Sequence, residues 1–355
     1  MPEKILVASF KLLGDLIVQT PALTSLRKAF PAAHIILLCD ARYATALSTN
    51  EDIDEVWGCP LSEAKKYSGF RKMYHKTVFF FHWAFRIRRF GFTRIILMDH
   101  NDRACIWAFF SGAKIRGGLR HQSMSFLLSR RLDDREGSAD YIDFYVRLAV
   151  LIGGTPGIRR TTFPIPAGSP SVKQLLPEVR DGYFVIHPGA SLAEKRWPAG
   201  RWAELIAAVG NKRPAAKFVL ISGPGEGRLC DEIRNAVGSA ALRGRVVIFA
   251  EHPLLETAII MRPASLVFCL DSASRHLAAA LGVPTISLMA KWILPTWGLY
   301  APEQKQFTLA ADVPRDNYSI ESISVNDVMA LFMRATRNNG GAKSLRQSGI
   351  QKRKR

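Results

Sequence analysis

Acidic residues are scarce in this chain: 30 aspartates and glutamates stand against 49 lysines and arginines, giving a formal net charge of +19 over 355 residues. That balance points to anionic partners. Cysteine is also thin. Cys39, Cys59, Cys105, Cys230 and Cys269 are odd in number, widely spaced and without a C-x-x-C pair. This excludes a disulfide framework and gives no spacing for structural zinc. Long apolar runs are missing too, since the most apolar stretch, Val78 to Phe85, falls far short of the roughly 20 residues that span a bilayer. The N-terminus enters a strand pattern at once and lacks the basic region, apolar stretch and cleavage site of a secretory signal. A cytoplasmic protein is expected. What is present suffices for two cores, with 48% hydrophobic and 10% aromatic residues.

Three strand-to-helix junctions carry the chemistry. Tyr183 to Ile186 is a short β-prone run leading into His187-Pro188-Gly189-Ala190-Ser191, and Lys195-Arg196-Trp197-Pro198 follows before an amphipathic run from Arg201 to Val209. The loop therefore lies at a strand's carboxyl end, where open α/β sheets bind ligands. Gly189, Ser191 and Lys195 would supply a close backbone approach, a hydroxyl donor and a cation for a phosphate. Leu266 to Leu270 reads as a buried strand running into Asp271-Ser272-Ala273-Ser274-Arg275-His276, with a helix after it that Gly282 ends. Asp271 or Ser272 would cap that helix, and the amides at its start suit a pyrophosphate.

At the front, Ile5 to Phe10 reads as a first strand, Lys11-Leu12-Leu13-Gly14-Asp15 as a tight loop, and Thr20-Pro21-Ala22-Leu23 as a helix start with cap and first-turn proline. Asp15 is then the carboxylate at the tip of an N-terminal βα unit. Gly223-Pro224-Gly225-Glu226-Gly227 follows a strand ending at Ser222, and Glu226 there could bond a ribose hydroxyl or simply sit exposed in a loop.

In order along the chain these segments resemble the lipopolysaccharide heptosyltransferases and related ADP-heptose-type glycosyltransferases of family 9. The matching residues are Leu13-Gly14-Asp15 with Thr20-Pro21-Ala22-Leu23, His187 to Ser191 with Lys195 to Pro198, Ser222 to Glu226, Asp271-Ser272 with His276 to Pro284, and Trp297-Gly298-Leu299-Tyr300. The resemblance implies a GT-B fold, that is, α/β with two doubly wound Rossmann-like domains facing across a cleft. It implies an inverting, metal-independent transfer of a sugar from a nucleotide diphosphate, with ADP-heptose as donor and no cofactor. The acceptor implied is a hydroxyl on an anionic, lipid-linked lipopolysaccharide-core saccharide. An alcohol needs a nearby group to take its proton, and Asp15 is the candidate base. The leaving diphosphate needs fixed donors, for which Lys195 and the amides after Asp271 are candidates. Gly14, Gly189, Ser191, Gly223, Glu226, Asp271, Ser272, Ala273 and His276 complete the expected donor site. Members of the family usually carry glycine where this chain has Ala273 and a small or apolar residue where it has Arg275. Ala290-Lys291-Trp292 likewise replaces the usual glycine-proline-threonine. A relative that binds or assembles without turnover is therefore a second reading.

The charge has two concentrations. From Arg337 to Arg355 there are basic residues and no acid, which contributes +7 and leaves +12 on the rest. Asn338-Asn339-Gly340-Gly341 breaks the preceding helix, so a disordered tail is expected. Between Lys65 and Arg94 lie Lys65, Lys66, Arg71, Lys72, Lys76, Arg86, Arg88, Arg89 and Arg94, interleaved with ten aromatics and no acid. Such mixing suits an anionic membrane surface or a phosphorylated glycolipid, which would make the protein a peripheral one at the cytoplasmic face of the inner membrane. The alternatives are aromatics in the core beneath a solvated basic face, or nucleic acid, for which no recognised motif is present.

Expected domains are 5–165 for the acceptor, 175–337 for the nucleotide sugar, and the tail 338–355, in a monomer. Strands are expected near Ile5–Ser9, His34–Leu38, Arg94–Met98, Tyr183–Ile186, Lys217–Ser222, Arg245–Phe249, Leu266–Leu270 and Thr285–Met289. A final helix should run from Ser324 to Arg337, capped by Ser324 with Asp327 three residues on.

Overall fold

The computed structural model of the protein describes residues 2–60, 69–133, 140–179, 182–297 and 300–337, with backbone alone for 69–76 and 337. The chain divides into two compact units, 1–169 with 295–301, and 170–294 with 302–355. The sequence expectation left 295–301 with the second unit; the structure packs it with the first, where Trp297 lies 4.2 Å, centroid to centroid, from Tyr141.

In the first unit the order is β1 (Lys4–Ala8), α1 (Leu13–Val18), α2 (Thr20–Ala29), β2 (His34–Asp40), β3 (Glu55–Cys59), α3 (Gly69–Phe90), β4 (Arg94–Leu97), α4 (Asp102–Phe110), β5 (Ile115–Leu119), β6 (Arg130–Leu132) and α5 (Tyr141–Leu151). The strands form one parallel sheet in the order β3-β2-β1-β4-β5-β6. Ile5, Leu6, Val7 and Ala8, with Ile35 to Leu38 and Ile95 to Leu97, are buried in consecutive runs, as strands covered on both faces must be.

The second unit contains α6 (Val172–Leu175), β7 (Phe184–His187), α7 (Ala199–Lys212), β8 (Phe218–Ser222), α8 (Gly227–Ala236), α9 (Ala240–Arg243), β9 (Val246–Ala250), α10 (Leu254–Met261), β10 (Leu266–Leu270), α11 (Ala273–Ala280), β11 (Thr285–Ala290), α12 (Leu294–Trp297, whose last three residues join the first unit), β12 (Gln306–Ala311) and α13 (Val325–Arg337). Its parallel sheet runs β12-β11-β10-β7-β8-β9. Numbered within each unit, both sheets have the strand order 3-2-1-4-5-6 of the doubly wound Rossmann fold. The order reverses between β1 and β4 in one unit and between β7 and β10 in the other. Ligands bind such sheets at that reversal, outside the strands' carboxyl ends.

Three local expectations are corrected. Leu13, Gly14 and Asp15 are the first turn of α1 rather than a tight loop. Thr20 does not cap α2 through its side chain; its hydroxyl donates to the Ile17 carbonyl instead, 2.8 Å away. Ser272 occupies the N-cap of α11 without bonding a backbone amide, because its hydroxyl pairs with that of Ser274 at 2.7 Å.

Candidate functional site

In the first unit the β1-to-α1 connection brings Lys11 and Asp15 to the sheet's reversal point, and the residues after β4 bring Asp99 and His100 to the same place. The junction is held by Asp99, whose Oδ2 accepts the Phe10 N–H at 2.9 Å. Burial lifts the Asp15 carboxyl above the ordinary carboxylate range, opposed by Lys11, by the amides of Leu12 and Asp15 itself, and by the Tyr145 hydroxyl. Burial raises Asp99 in the same way; the Phe10 amide, Lys11 and His100 oppose it, and the Asp15 charge adds to it. Desolvation also raises both Tyr141 and Tyr145, with Asp15 contributing. The result is a carboxylate held neutral more easily than in water, among phenols and one lysine. A cavity of about 240 Å³ opens beside it, with Lys11, Asp99, His100, Tyr141, Tyr145 and Thr296 in its lining. Sequence reading found Asp15 but missed Asp99, Tyr141 and Tyr145. An acid at the carboxyl end of the strand Arg94–Leu97 was the available signal.

In the second unit the loops after β7 and β10 meet. The Lys195 ammonium is 2.9 Å from Asp271 Oδ2 and lies 4.6 Å above the Tyr318 ring. An ammonium has three donors, and Asp271 takes one. His276, on the first turns of α11, is desolvated and beside Arg275 and Lys195, which together push its pKa down to about 3 against the pull of Asp271. It is neutral at any physiological pH. Arg275 is fully buried in the same helix. Ser191 is exposed on its loop, and Ala273 is the first residue of α11, partly buried.

Glu226 and Gly189 lie against each other. Glu226 turns into its own loop, accepting the Gly223 N–H at 3.2 Å and the Arg196 guanidinium at 3.1 Å. A Cβ added at Gly189 would fall 2.0 Å from Glu226 Oε2. A side chain at 189 would have to push the Glu226 carboxylate off its bonds to Gly223 and Arg196. Glu251, unread in the sequence, accepts the N–H groups of Gly225 and Gly227 at 3.1 and 3.0 Å and so fixes the other side of this loop.

The basic and aromatic segment is largely α3. Lys65 and Lys66 lie outside the described residues, and of Arg71 and Lys72 only the backbone is described. Trp83 is buried, with Phe79 and Phe80 packed against the core, whereas Phe81 and Phe85 are 64% and 66% exposed. Arg86 stacks on Trp57 at 4.1 Å, and Arg88 donates to the Phe110 carbonyl at 2.9 Å. Two of the three arginines thus serve the fold as well as its surface. Among the described residues no helix is long and apolar enough to cross a membrane, and no cluster of three His, Cys, Asp or Glu is placed to hold a metal ion.

Residues 82–323 match the profile of Glycosyltransferase family 9 (heptosyltransferase). Lipopolysaccharide heptosyltransferase 3 of Escherichia coli is 25% identical over 308 residues, covering 83% of this chain and 85% of that protein. The structure of E. coli ADP-heptose lps heptosyltransferase II superposes with a TM-score of 0.76 at 19% identity, over 95% of this chain and 99% of that one. E. coli heptosyltransferase WaaC with ADP superposes with a TM-score of 0.74 at 16% identity, over 94% and 99%. With two Rossmann sheets of the same order and a family match across most of its length, this chain belongs to glycosyltransferase family 9, the heptosyltransferases, and is a glycosyltransferase.

Proposed function

We propose that the protein transfers heptose from ADP-heptose, with inversion, to a hydroxyl of a lipopolysaccharide-core glycolipid, Asp15 acting as general base. The observation that carries this reading is Asp15 itself, a largely desolvated carboxylate with a raised pKa at the ligand-binding end of the first sheet. Raising a carboxylate's pKa strengthens it as a base. The acceptor oxygen bonds to the anomeric carbon as its proton passes to Asp15, and ADP departs with the electron pair of the broken glycosidic bond. Lys195, with two donors beyond its bond to Asp271, and the amides opening α11 stabilise the charge on that diphosphate. His276 is neutral and contributes only as an uncharged donor. The ADP-heptose named for heptosyltransferase II and the ADP of the WaaC structure support adenosine diphosphate as the leaving group.

A lipid-linked acceptor also requires the enzyme to work at an anionic surface, and the exposed Phe81 and Phe85 beside the basic positions of α3 support a peripheral membrane face. The central test is single-turnover transfer at saturating ADP-heptose. Asp15→Asn should lower the rate by about 10² to 10⁴ while ADP affinity stays at the wild-type value. Wild-type turnover in Asp15→Asn would remove Asp15 from the mechanism.

A further inference from the structure

The Lys195 ammonium is held from two sides. Asp271 Oδ2 takes one of its hydrogens at 2.9 Å, and the face of Tyr318 lies 4.6 Å from it. The two contacts differ in kind. A carboxylate uses up a donor, whereas a ring attracts the charge through its negative face and presents no lone pair. The ammonium ends a flexible four-carbon stem, so without the ring the carboxylate alone would decide where it points. Tyr318 is itself braced. Trp292 lies just past the end of β11, in the single 3₁₀ turn Lys291–Ile293. Its indole N–H donates to the Asn317 carbonyl at 2.8 Å, and its ring meets that of Tyr318 edge-on at 5.0 Å. Asn317 closes its own loop, donating its N–H to the Pro314 carbonyl at 3.1 Å and accepting the Ser319 N–H at 2.9 Å. The Leu288 carbonyl of β11 also accepts the Asp271 N–H at 3.2 Å. Tyr318 and Asp271 are thus both fixed from the end of one strand. The ion pair of Lys291 with Asp312 spans the same loop, but both side chains are exposed and the pair adds little.

We propose that Tyr318 is a positioning residue for Lys195: its ring face, braced by Trp292, aims the ammonium so that two hydrogens remain for the phosphates of a nucleoside diphosphate. This rests on the reading that Lys195 contacts the donor's diphosphate. Holding a flexible cation in its bound position before the ligand arrives removes an ordering cost from binding. The ring acts through Lys195, so its removal is felt at the phosphates and not at the nucleoside.

The test is a double-mutant cycle on the full-length protein, with ADP and, as a probe without phosphates, adenosine titrated and followed by ligand-observed NMR. Tyr318→Leu should weaken ADP about fivefold or more, and Tyr318→Phe, which keeps the ring face, should bind it like the wild type. Adenosine affinity should be the same in all of them. In a Lys195→Ala background, Tyr318→Leu should cost ADP nothing further, whereas a ring that merely packed its loop would weaken ADP by the same factor with or without the lysine. Wild-type ADP affinity in Tyr318→Leu, additive losses in the double variant, an equal loss of adenosine, or a Tyr318→Phe as weak as Tyr318→Leu would overturn the proposal. Should Tyr318→Leu fail to fold, Trp292→Leu removes the brace and must weaken ADP when Lys195 is present and not in Lys195→Ala. Unchanged ADP affinity in Lys195→Ala would bring down the phosphate role of Lys195 and this proposal with it. A loss in Lys195→Ala without a coupled loss in Tyr318→Leu would overturn the positioning role alone.

Discussion

At the scale of single residues, the two carboxylates of the first unit illustrate how a site is made at the expense of stability. Asp15 is raised above the ordinary aspartate range because burial penalises its charge more than Lys11, the amides and Tyr145 favour it. The folded state thus binds the Asp15 proton more tightly than the unfolded chain does. Its contribution to stability is complete below the unfolded pKa and is lost as pH rises through the folded one. Asp15→Asn, which carries no charge, should therefore melt higher than wild type at pH 7, with the difference vanishing by about pH 4, near the ordinary aspartate value. Calorimetric melting of both proteins at the two pH values measures this. A variant less stable than wild type at pH 7 would mean that Asp15 is held by interactions favouring its charged form. His276 runs in the opposite sense: with its pKa lowered to about 3, it resists protonation in the folded state and adds to acid lability below the ordinary histidine range.

Elements were legible where the signal was local and lost where it was not. The run Leu266–Leu270 stands out because both faces are buried and the residues are continuously apolar, and Thr285–Met289 because it is fully buried and rich in β-branched and apolar residues. Strands at a sheet edge or next to one carry a weaker signal. Glu55–Cys59, Ile115–Leu119 and Arg130–Leu132 contain charges or glycines, and Gln306–Ala311 is only partly buried along most of its length. These strands form through pairing with a neighbour, which a single sequence does not display. The front loop was misread for a related reason: Leu12 to Asp15 has no capping side chain, and α1 starts without one. Asp15 was legible as a lone acid at a junction. The contact of Lys195 with Tyr318 became visible only once the fold had brought the two residues together. The capping reading at the chain's last helix held, since Ser324 and Asp327 satisfy each other's amides at 3.1 and 3.2 Å. Removing a serine cap costs about 1 kcal/mol, so Ser324→Ala should lower the melting temperature by about 2–4 °C. An unchanged melting temperature would show that α13 is held by packing alone.

At the scale of the whole molecule, a charge of +19 is far more than a nucleotide site needs, and the arrangement within the first unit suggests where part of it acts. On α3, Trp83 and Ile87 face the core while Phe81, Phe85 and Arg89 lie on the exposed side. A purely solvated helix face has no use for two phenylalanines in water, whereas an interfacial one inserts them beneath its cations. Each Lys or Arg near an anionic bilayer is worth about 1 kcal/mol, and that attraction fades beyond a Debye length. Sedimentation with vesicles of phosphatidylglycerol and phosphatidylcholine should therefore fall with salt to a residual level rather than to zero. Phe81→Ser with Phe85→Ser should abolish the residue that survives salt, and Arg89→Glu should weaken the part that does not. These positions are preferable to Arg86 and Arg88, whose ring stacking and carbonyl bond tie them to the fold. Sedimentation unchanged by the paired serine substitutions, or a preference for duplex DNA over the vesicles at equal ionic strength, would assign the surface to solvent or to nucleic acid and leave the acceptor to reach the enzyme without a membrane-docking helix.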